Sequence, residues 1–297
     1  MAAHSPRSTA PRVGIVTVSY HSGRVLPGFL DSVPGSAAVA PTVIVVDNLH
    51  EDEIEGMALD AGARYLSTGS NLGYGGAMNA GVAALDDDIE WVLLSNPDVE
   101  LGPGVIDGLV AVALEDDAIA AVGPAVLNAD GSVYPSARSV PSLRTGVGHA
   151  LFANLWINNP WSAAYKNDSA EHVERRDAGW LSGSCLLVRR SAFAAIGGFD
   201  DGFFMYFEDV DLGFRFGKNG QRNVYEPAVS VIHTGAHSTT SSSDRMVVAH
   251  HASARRFLSK KYPGAVLWPV RVTLTIGLAL RSWVVRRRVS QGKGPAA

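Results

Sequence analysis

Apolar runs alternate with amphipathic stretches along the first 130 residues of the chain. Continuous Val, Ile and Leu runs predict strands at 12–20, 42–48, 63–69, 91–98 and 119–127. Helical spacing of apolar residues lies between them, at 26–33, 54–61, 76–85 and 105–114. Strands that are apolar throughout are typical of a parallel sheet covered by helices on both faces. The pattern predicts an α/β, Rossmann-like domain whose ligands bind beyond the carboxyl ends of its strands.

The second half of the chain is less regular. Pro, Trp, Asn and Ser are mixed over 135–177, which is typical of an irregular lid or acceptor-side segment. Beyond it we predict a strand and a short helix within 179–200, a helix closed by Gly220, and a strand at 228–235. Regular alternation followed by mixed elements indicates one domain with two functional halves.

Composition allows one or two folded units. Of 297 residues, 46% are hydrophobic and 18% charged, which suits one large α/β domain or two small ones. We predict one domain at 13–262, with a nucleotide-binding half at 13–130 and a mixed acceptor and catalytic half at 131–262. Residues 1–12 contain no apolar core, so we expect a disordered tail and not a signal peptide.

Charge and cysteine content exclude several classes of protein. The net charge of −4 gives no general attraction to nucleic acid, so we expect no nucleic-acid partner. The single cysteine, Cys185, excludes a disulfide framework and fits a reducing compartment. We therefore expect a cytoplasmic protein.

Three of the predicted strands end in polar residues. These residues are Thr17, Ser19 and Tyr20; Asp47 and Asn48; and Asn96 and Asp98. Because the carboxyl ends of parallel strands meet at one edge of a sheet, they predict a ligand site there. For Asp47 and Asn48 a helix cap or an Asx turn is the structural alternative.

A glycine-rich stretch, "SNLGYGGAMNAG" at 70–81, follows a strand and opens a helix. Backbone amides at such a helix start can hold a phosphate. Met78 stands where a dinucleotide fingerprint has its third glycine, and no GK[ST] follows, so the stretch is neither a Rossmann nor a P-loop signature. A flexible strand-to-helix turn is the alternative.

The segment "FEDVDLGFR" places three carboxylates within four residues, Glu208, Asp209 and Asp211. Such carboxylates repel one another unless cations or a shared proton relieve them. Asp211 has an i,i+4 partner in Arg215, whereas Asp209 has no obvious internal partner and is the candidate proton acceptor. The alternative is a solvated acidic helix start, but the neighbouring Phe and Tyr residues argue against a wet surface.

His233 ends an apolar run, and His237 follows four residues later. Neutral imidazole joins carboxylate oxygens readily around Mg²⁺ or Mn²⁺. We predict His233 as a metal ligand and rank His237 below it; a structural role is the alternative for each.

The C-terminal residues 263–297 are basic and amphipathic. Their longest uncharged run, 272–280, is too short to cross a bilayer. Tryptophans, basic flanks and a wide apolar face favour a helix at the inner surface of the cytoplasmic membrane. Packing on the domain or on a second protein is the alternative.

Together the motifs "VTVSY", "VIVVDN", "NLGYGGAMNAG", "LLSNPDV", "GWLSGSCLLVRRSAFAAIGGFDDGFFMYFEDVDLGFR" and "IHTGAHS" resemble the family 2 inverting glycosyltransferases with a GT-A fold. Within that family the chain is most similar to actinobacterial rhamnosyltransferases that act on polyprenyl-diphosphate-N-acetylglucosamine. The resemblance covers 13–238.

The resemblance implies a role for each motif. Asp98 and His233 would hold a divalent Mg²⁺ or Mn²⁺, with Asn96 in place of a first aspartate on the nucleotide side. Asp209 would be the general base, with Glu208 as its pair. The remaining residues would contact the donor nucleotide (Thr17, Ser19, Tyr20, Asp47, Asn48, Asn71, Gly73 and Asn79) or border the donor sugar and acceptor (Trp180, Ser182 and Gly183). Leu49 departs from the family pattern, which has a small polar residue there.

The implied activity is transfer of L-rhamnose from dTDP-rhamnose to a polyprenyl-diphosphate-linked N-acetylglucosamine in cell-wall linker synthesis. It requires Asp98 and Asp209 to face a single cleft. Donors based on UDP, including galactofuranose donors, stay open because no residue distinguishes thymine from uracil. A sugar nucleotidyltransferase would have a basic loop after its first strand, where only Arg24 stands. An inactive nucleotide-sugar-binding module would be expected to lose its carboxylates, and this chain keeps them.

Overall fold

The computed structural model describes residues 11–142, 174–235, 243–264, 268, 269 and 272. Its strands are β1 Val13–Ser19, β2 Thr42–Asp47, β3 Arg64–Ser67, β4 Trp91–Ser95, β5 Val99–Leu101, β6 Ile119–Asn128, β7 Val133–Tyr134, β8 Ala137–Arg138, β9 Arg176–Ala178, β10 Trp180–Leu181, β11 Cys185–Arg189 and β12 Arg222–His233. Its helices are α1 Leu26–Ser32, α2 Asp52–Asp60, α3 Gly73–Ala83, α4 Val105–Ala113, α5 Arg190–Ala195, α6 Glu208–Lys218 and α7 Ser243–Lys261.

The sheet has a parallel half and a mixed half. Its main path runs β3-β2-β1-β4-β11-β6-β12-β5. The first four strands are parallel, whereas β11 runs antiparallel to both β4 and β6. Strand β12 is parallel to β6 and antiparallel to β5. The predicted Rossmann-like sheet with a mixed C-terminal half is confirmed.

Both faces of the sheet are covered, as the uninterrupted apolar strands require. All seven residues of β1 are buried. Ile15 belongs to an apolar cluster on one face that includes side chains of α1, α2 and α4, and Val16 belongs to the cluster on the other face, with side chains of α3, α5 and α6. Helices α3 and α6, which carry the glycine-rich and acidic motifs, therefore lie on the same face.

Two predicted elements begin elsewhere in the structure, and the short strands β5 and β7–β9 and helix α7 were not predicted. Helix α3 begins at Gly73, three residues before the predicted start. Strand β12 begins at Arg222, ahead of the predicted 228–235, with an irregular register between Glu226 and Ser230. Pro227 lies in that irregularity, and a proline in an apolar run argues against a continuous strand when only the sequence is read.

Helix α7 is part of the folded domain. Its Phe257 is fully buried and packs with Phe203 and Val210 in a third apolar cluster. Within the described residues no helix is long and apolar enough to cross a membrane. Most of the predicted membrane-associating tail at 263–297 lies outside the described residues, as do 1–10 of the N-terminal tail and 143–173 of the irregular segment.

Candidate active site

Asp98 and His233 are neighbours at one edge of the sheet. Strand β12 runs antiparallel to β5, which puts His233 opposite Val99. Oδ1 of Asp98 lies 3.1 Å from Nε2 of His233, and the Asp98 side chain is only 3% exposed. The amide nitrogen Nδ2 of Asn96 lies 3.5 Å from the same imidazole nitrogen. Two predicted metal-site residues from distant parts of the chain are thus brought into contact.

This pair fits one kind of metal site. Among the described residues no three His, Cys, Asp or Glu side chains cluster closely enough to enclose an ion. Mg²⁺ is often held by one or two protein ligands while substrate phosphates and water complete its shell. One carboxylate oxygen beside one imidazole nitrogen suits that arrangement and not an all-protein cage. His237 lies outside the described residues.

The acidic pair opens helix α6 after a strained turn. Tyr206 and Phe207, just before Glu208, both have positive φ angles, 68° and 66°. Bulky residues rarely adopt this conformation, so the surrounding structure must impose it. Oδ2 of Asp209 accepts the Gly183 N–H at 3.1 Å, and its Oδ1 accepts the Val210 N–H at 2.8 Å. Asp209 therefore does have an internal partner, contrary to the sequence-based prediction.

Glu208 and Asp209 share an electrostatic environment. Burial raises the pKa of Glu208, and the neighbouring charge of Asp209 raises it further. Burial also raises the pKa of Asp209, although the N–H groups of Gly183 and Val210 oppose that effect. Glu208 is 8% exposed, and its Oε2 has no hydrogen-bond partner among the described residues. Both oxygens of Asp209 thus accept an N–H bond that favours its ionised form, whereas Oε2 of Glu208 accepts none among the described residues.

The turn at 182–184 joins the acidic pair to the Asp98–His233 pair. While the Gly183 N–H binds Asp209, the Ser184 carbonyl accepts the Asn96 N–H at 2.8 Å. The Ser182 and Ser184 hydroxyls lie 3.0 Å apart. Asp209 and Asn96, which stands two residues before Asp98, therefore both bind backbone groups of this three-residue turn, and a single cleft shared by Asp98 and Asp209 stays a prediction.

Asp47 is held by its own turn. Oδ1 accepts the N–H groups of Leu49 and His50, both at 2.9 Å, and Oδ2 accepts that of Glu51 at 2.6 Å. The Tyr65 hydroxyl adds a fourth bond at 3.0 Å, and Asp47 is fully buried. The structure thus shows Asp47 in an Asx turn, which was the structural alternative, and its contact with a nucleotide base stays a prediction. The Leu49 side chain is exposed, so its departure from the family pattern leaves this backbone turn intact.

Asn48 organises the glycine-rich loop. Its Nδ2 donates to Oδ1 of Asn71 at 2.9 Å and to the Gly73 carbonyl at 3.2 Å, and its Oδ1 accepts the Leu72 N–H at 2.9 Å. Gly73 has φ of +74°, and a Cβ there would overlap the Phe204 carbonyl oxygen. The loop is therefore pressed against the strained segment that precedes the acidic pair.

The other predicted contact residues have mixed placements. Thr17 and Ser19 are fully buried, and their hydroxyls have no hydrogen-bond partner among the described residues; Tyr20 is exposed. Asn79 binds the backbone of Phe199: its Nδ2 donates to the Phe199 carbonyl and its Oδ1 accepts the Phe199 N–H, both at 2.9 Å. The Trp180 indole donates to the Ser139 carbonyl at 3.2 Å. In this structure the side chains of Asn79 and Trp180 make hydrogen bonds to the backbone of other segments, and their contacts with a ligand stay predictions.

Comparison with known families decides the classification. The sequence profile described as glycosyl transferase family 2 matches residues 14–197, more than half of the chain. The chain belongs to glycosyl transferase family 2.

Two rhamnosyltransferases are similar to this chain in sequence. The transferase is 44% identical to the N-acetylglucosaminyl-diphospho-decaprenol L-rhamnosyltransferase of Mycobacterium tuberculosis (strain H37Rv). The alignment spans 284 residues and covers 92% of each chain. It is 42% identical over 82 residues to the rhamnosyltransferase WbbL of Escherichia coli K12, covering 28% of this chain and 31% of that protein.

A solved structure supports the fold of the transferase. The crystal structure of GalNAc-T7 with UDP, GalNAc and Mn²⁺ matches with a TM-score of 0.56 at 15% identity, over 76% of this chain and 44% of that one. At this identity the match concerns the fold, and the expected GT-A fold is confirmed.

Sequence reading of the transferase missed two residues beside the acidic pair. Tyr74 lies in the glycine-rich motif, and its hydroxyl donates to the Gly183 carbonyl. Lys260 comes from α7, and its ammonium group contacts Asp211 next to the acidic pair. A tyrosine between Gly73 and Gly75 could have indicated a separate role for Tyr74, because a phosphate-binding loop does not require an aromatic ring. No sequence signal pointed to Lys260.

Proposed function

We propose that this transferase moves L-rhamnose from dTDP-rhamnose to N-acetylglucosamine carried on a polyprenyl diphosphate, with inversion at the anomeric carbon. The observation that carries the proposal is that Asp209 and Asn96, which stands two residues before Asp98, both bind backbone groups of the 182–184 turn. The 44% identity to the mycobacterial enzyme over 92% of the chain supports the choice of donor sugar and acceptor.

Asp209 is the general base of the proposed reaction. Its carboxylate takes the proton from an acceptor hydroxyl as that oxygen attacks the anomeric carbon, while the bond to the nucleotide diphosphate breaks on the opposite side. General-base help of this kind contributes about 10²–10⁴ in rate. The hydrogen bonds from Gly183 and Val210 fix both oxygens of Asp209 and favour its ionised form.

Asp98 and His233 are the proposed ligands of a divalent ion, Mg²⁺ or Mn²⁺. Such an ion, when bound, supplies Lewis-acid stabilisation of the leaving diphosphate. The amide nitrogen of Asn96 lies 3.5 Å from Nε2 of His233, so Asn96 borders the proposed ion site. The 3.1 Å separation of Asp98 and His233 supports this assignment.

The donor is tested by the nucleotide that is released. The full chain is incubated with Mg²⁺ or Mn²⁺, a panel of dTDP- and UDP-sugars, and a polyprenyl-diphosphate-N-acetylglucosamine acceptor. Release of dTDP together with a rhamnosylated lipid is the expected result. Release of UDP instead would move the donor to a UDP-sugar, and release of pyrophosphate would indicate a nucleotidyltransferase. Binding of the donors without any product would indicate an inactive module.

We further propose that 263–297 attaches the enzyme to the inner leaflet of the cytoplasmic membrane, where a polyprenyl acceptor resides. The basic "RRR" at 286–288 and the tryptophans at 268 and 283 support this proposal. Truncation after Pro263 is expected to move the protein from the membrane fraction to the soluble fraction. Identical fractionation of the two forms would contradict it.

A further inference from the structure

Tyr74 and Asp209 contact the same residue, Gly183. The Tyr74 hydroxyl donates to the Gly183 carbonyl, and the Gly183 N–H donates to Oδ2 of Asp209 at 3.1 Å. A carbonyl oxygen can only accept, so the phenol must carry its proton for the first bond to exist. One glycine is thus held from both sides, by a phenol on α3 and by a carboxylate on α6.

The packing around Gly183 leaves little freedom. A Cβ on Gly183 would lie 3.3 Å from the Tyr74 ring and 3.6 Å from Cβ of Asp209. The Tyr74 ring is fixed in turn by an edge-to-face contact with Phe199, with centroids 5.9 Å apart. Tyr74 is therefore a rigid support whose position determines where the Gly183 N–H points.

The charges around Tyr74 keep it protonated. Burial raises the pKa of its phenol well above the ordinary value, and the charges of Glu208 and Asp209 raise it further. Cys185 on β11 and Asp98 beyond the turn act in the same direction. Glu208, Asp209, Cys185 and Asp98 are thus the charged or titratable groups with the largest effect on Tyr74 among the described residues. Tyr74 consequently stays a hydrogen-bond donor across the working pH range of the enzyme.

We propose that Tyr74 is a positioning residue for the general base: it holds Gly183 so that the Gly183 N–H binds Asp209. The bond to Asp209 has two effects. It orients the carboxylate toward the acceptor side, and it favours the ionised form that accepts the proton. Tyr74 itself touches neither donor nor acceptor in this role.

The kinetic test uses Tyr74→Phe, which keeps the ring and removes only the hydroxyl. This inference rests on the proposed transfer reaction, so kcat and KM are measured with the donor that the nucleotide-release assay selects. We expect kcat to fall roughly tenfold, with the KM for the donor changed by less than about twofold. The acid limb of the kcat–pH profile should move up by about one unit, because Asp209 loses a bond that favours its ionised form. The control is Tyr134→Phe at an exposed site on β7.

A second readout needs no substrate. The chain contains only two Ser-Gly dipeptides, Ser22-Gly23 and Ser182-Gly183. Labelling serine with ¹³C at the carbonyl and glycine with ¹⁵N therefore gives two selected amide signals, and Gly23→Ala assigns them. In the wild type the Gly183 amide proton should shift as Asp209 ionises. In Tyr74→Phe this shift should shrink, with the Gly23 signal as the internal reference.

The outcomes separate this inference from the proposed function. An unchanged kcat–pH profile together with an unchanged Gly183 titration in Tyr74→Phe would overturn the role of Tyr74, whatever sugar is transferred. If the wild type transfers no sugar while the Gly183 titration depends on Tyr74, the proposed function fails and the support of Asp209 by Tyr74 stands. A pH profile shifted equally by Tyr134→Phe would also overturn the proposal.

Discussion

The ammonium nitrogen of Lys260 lies 2.6 Å from Oδ1 of Asp211, a carboxylate whose side chain is fully buried. The same nitrogen lies 2.5 Å from Oδ2 of Asp200, and Arg256 binds the other oxygen of Asp200 at 2.7 Å. Burial would raise the pKa of Asp200, but Lys260 and Arg256 more than offset this and lower it. Helix α7 is thus attached by ion pairs to both the acidic helix and the segment before it.

Lys260→Ala should destabilise the domain by about 1–3 kcal/mol, because Asp211 would keep only Arg215 as its cationic partner in a buried place. The value is below that of a fully buried pair, since the Lys260 side chain is 31% exposed. Urea denaturation measures the change, with Arg255→Ala on the exposed side of the same helix as the matched control. Equal stability of the two variants would mean that the Lys260 ion pairs contribute nothing to the fold.

Asp209→Asn should abolish transfer while leaving donor binding intact. The amide keeps an oxygen for the Gly183 N–H but cannot take the proton of the acceptor, so we expect a loss of about 10²–10⁴ in kcat. Calorimetric titration with the donor nucleotide checks binding, and product formation checks transfer. Asp60→Asn, at the exposed end of α2, is the control. Normal turnover by Asp209→Asn would remove this residue from the mechanism.

The buried Glu208 should make stability depend on pH. Its pKa is raised in the folded state by burial and by Asp209, so the folded state binds a proton that the unfolded chain releases more readily. This contribution is complete below the ordinary glutamate pKa and is lost as the pH rises through the raised value. Glu208→Gln should therefore gain stability relative to the wild type between about pH 5 and about pH 9. Parallel curves from urea unfolding across that range would show that Glu208 ionises normally.

Gly73→Ala should cost more than Gly69→Ala. Both glycines have positive φ, +74° and +68°, so both variants incur the conformational penalty of about 1–2 kcal/mol. Only at Gly73 would the new Cβ also overlap the Phe204 carbonyl, whereas nothing lies within 4 Å at Gly69. The difference between their unfolding free energies isolates the steric part. A difference near zero would show that the Phe204 segment moves aside easily.

Much of the fold follows from the sequence, because its buried strands are apolar throughout. The edge of the sheet that carries Asp98 was also predictable, because polar residues follow three of the predicted strands and the carboxyl ends of parallel strands lie at one edge. The contact of Asp98 with His233 depends on the antiparallel pairing of β12 with β5. This pairing could not be predicted, because β5 has only three residues and carries no clear strand pattern. Asp47 shows the opposite limit: a carboxylate at a strand end can bind a ligand or its own turn, and only the backbone geometry distinguishes the two.

The strained turn before Glu208 depends on a contact between distant parts of the chain. The Ser253 hydroxyl donates to the Met205 carbonyl at 2.8 Å, so helix α7 holds the backbone just ahead of Tyr206 and Phe207. Because the two bonded residues lie 48 positions apart, long-range packing and not local preference alone keeps this turn in its strained conformation.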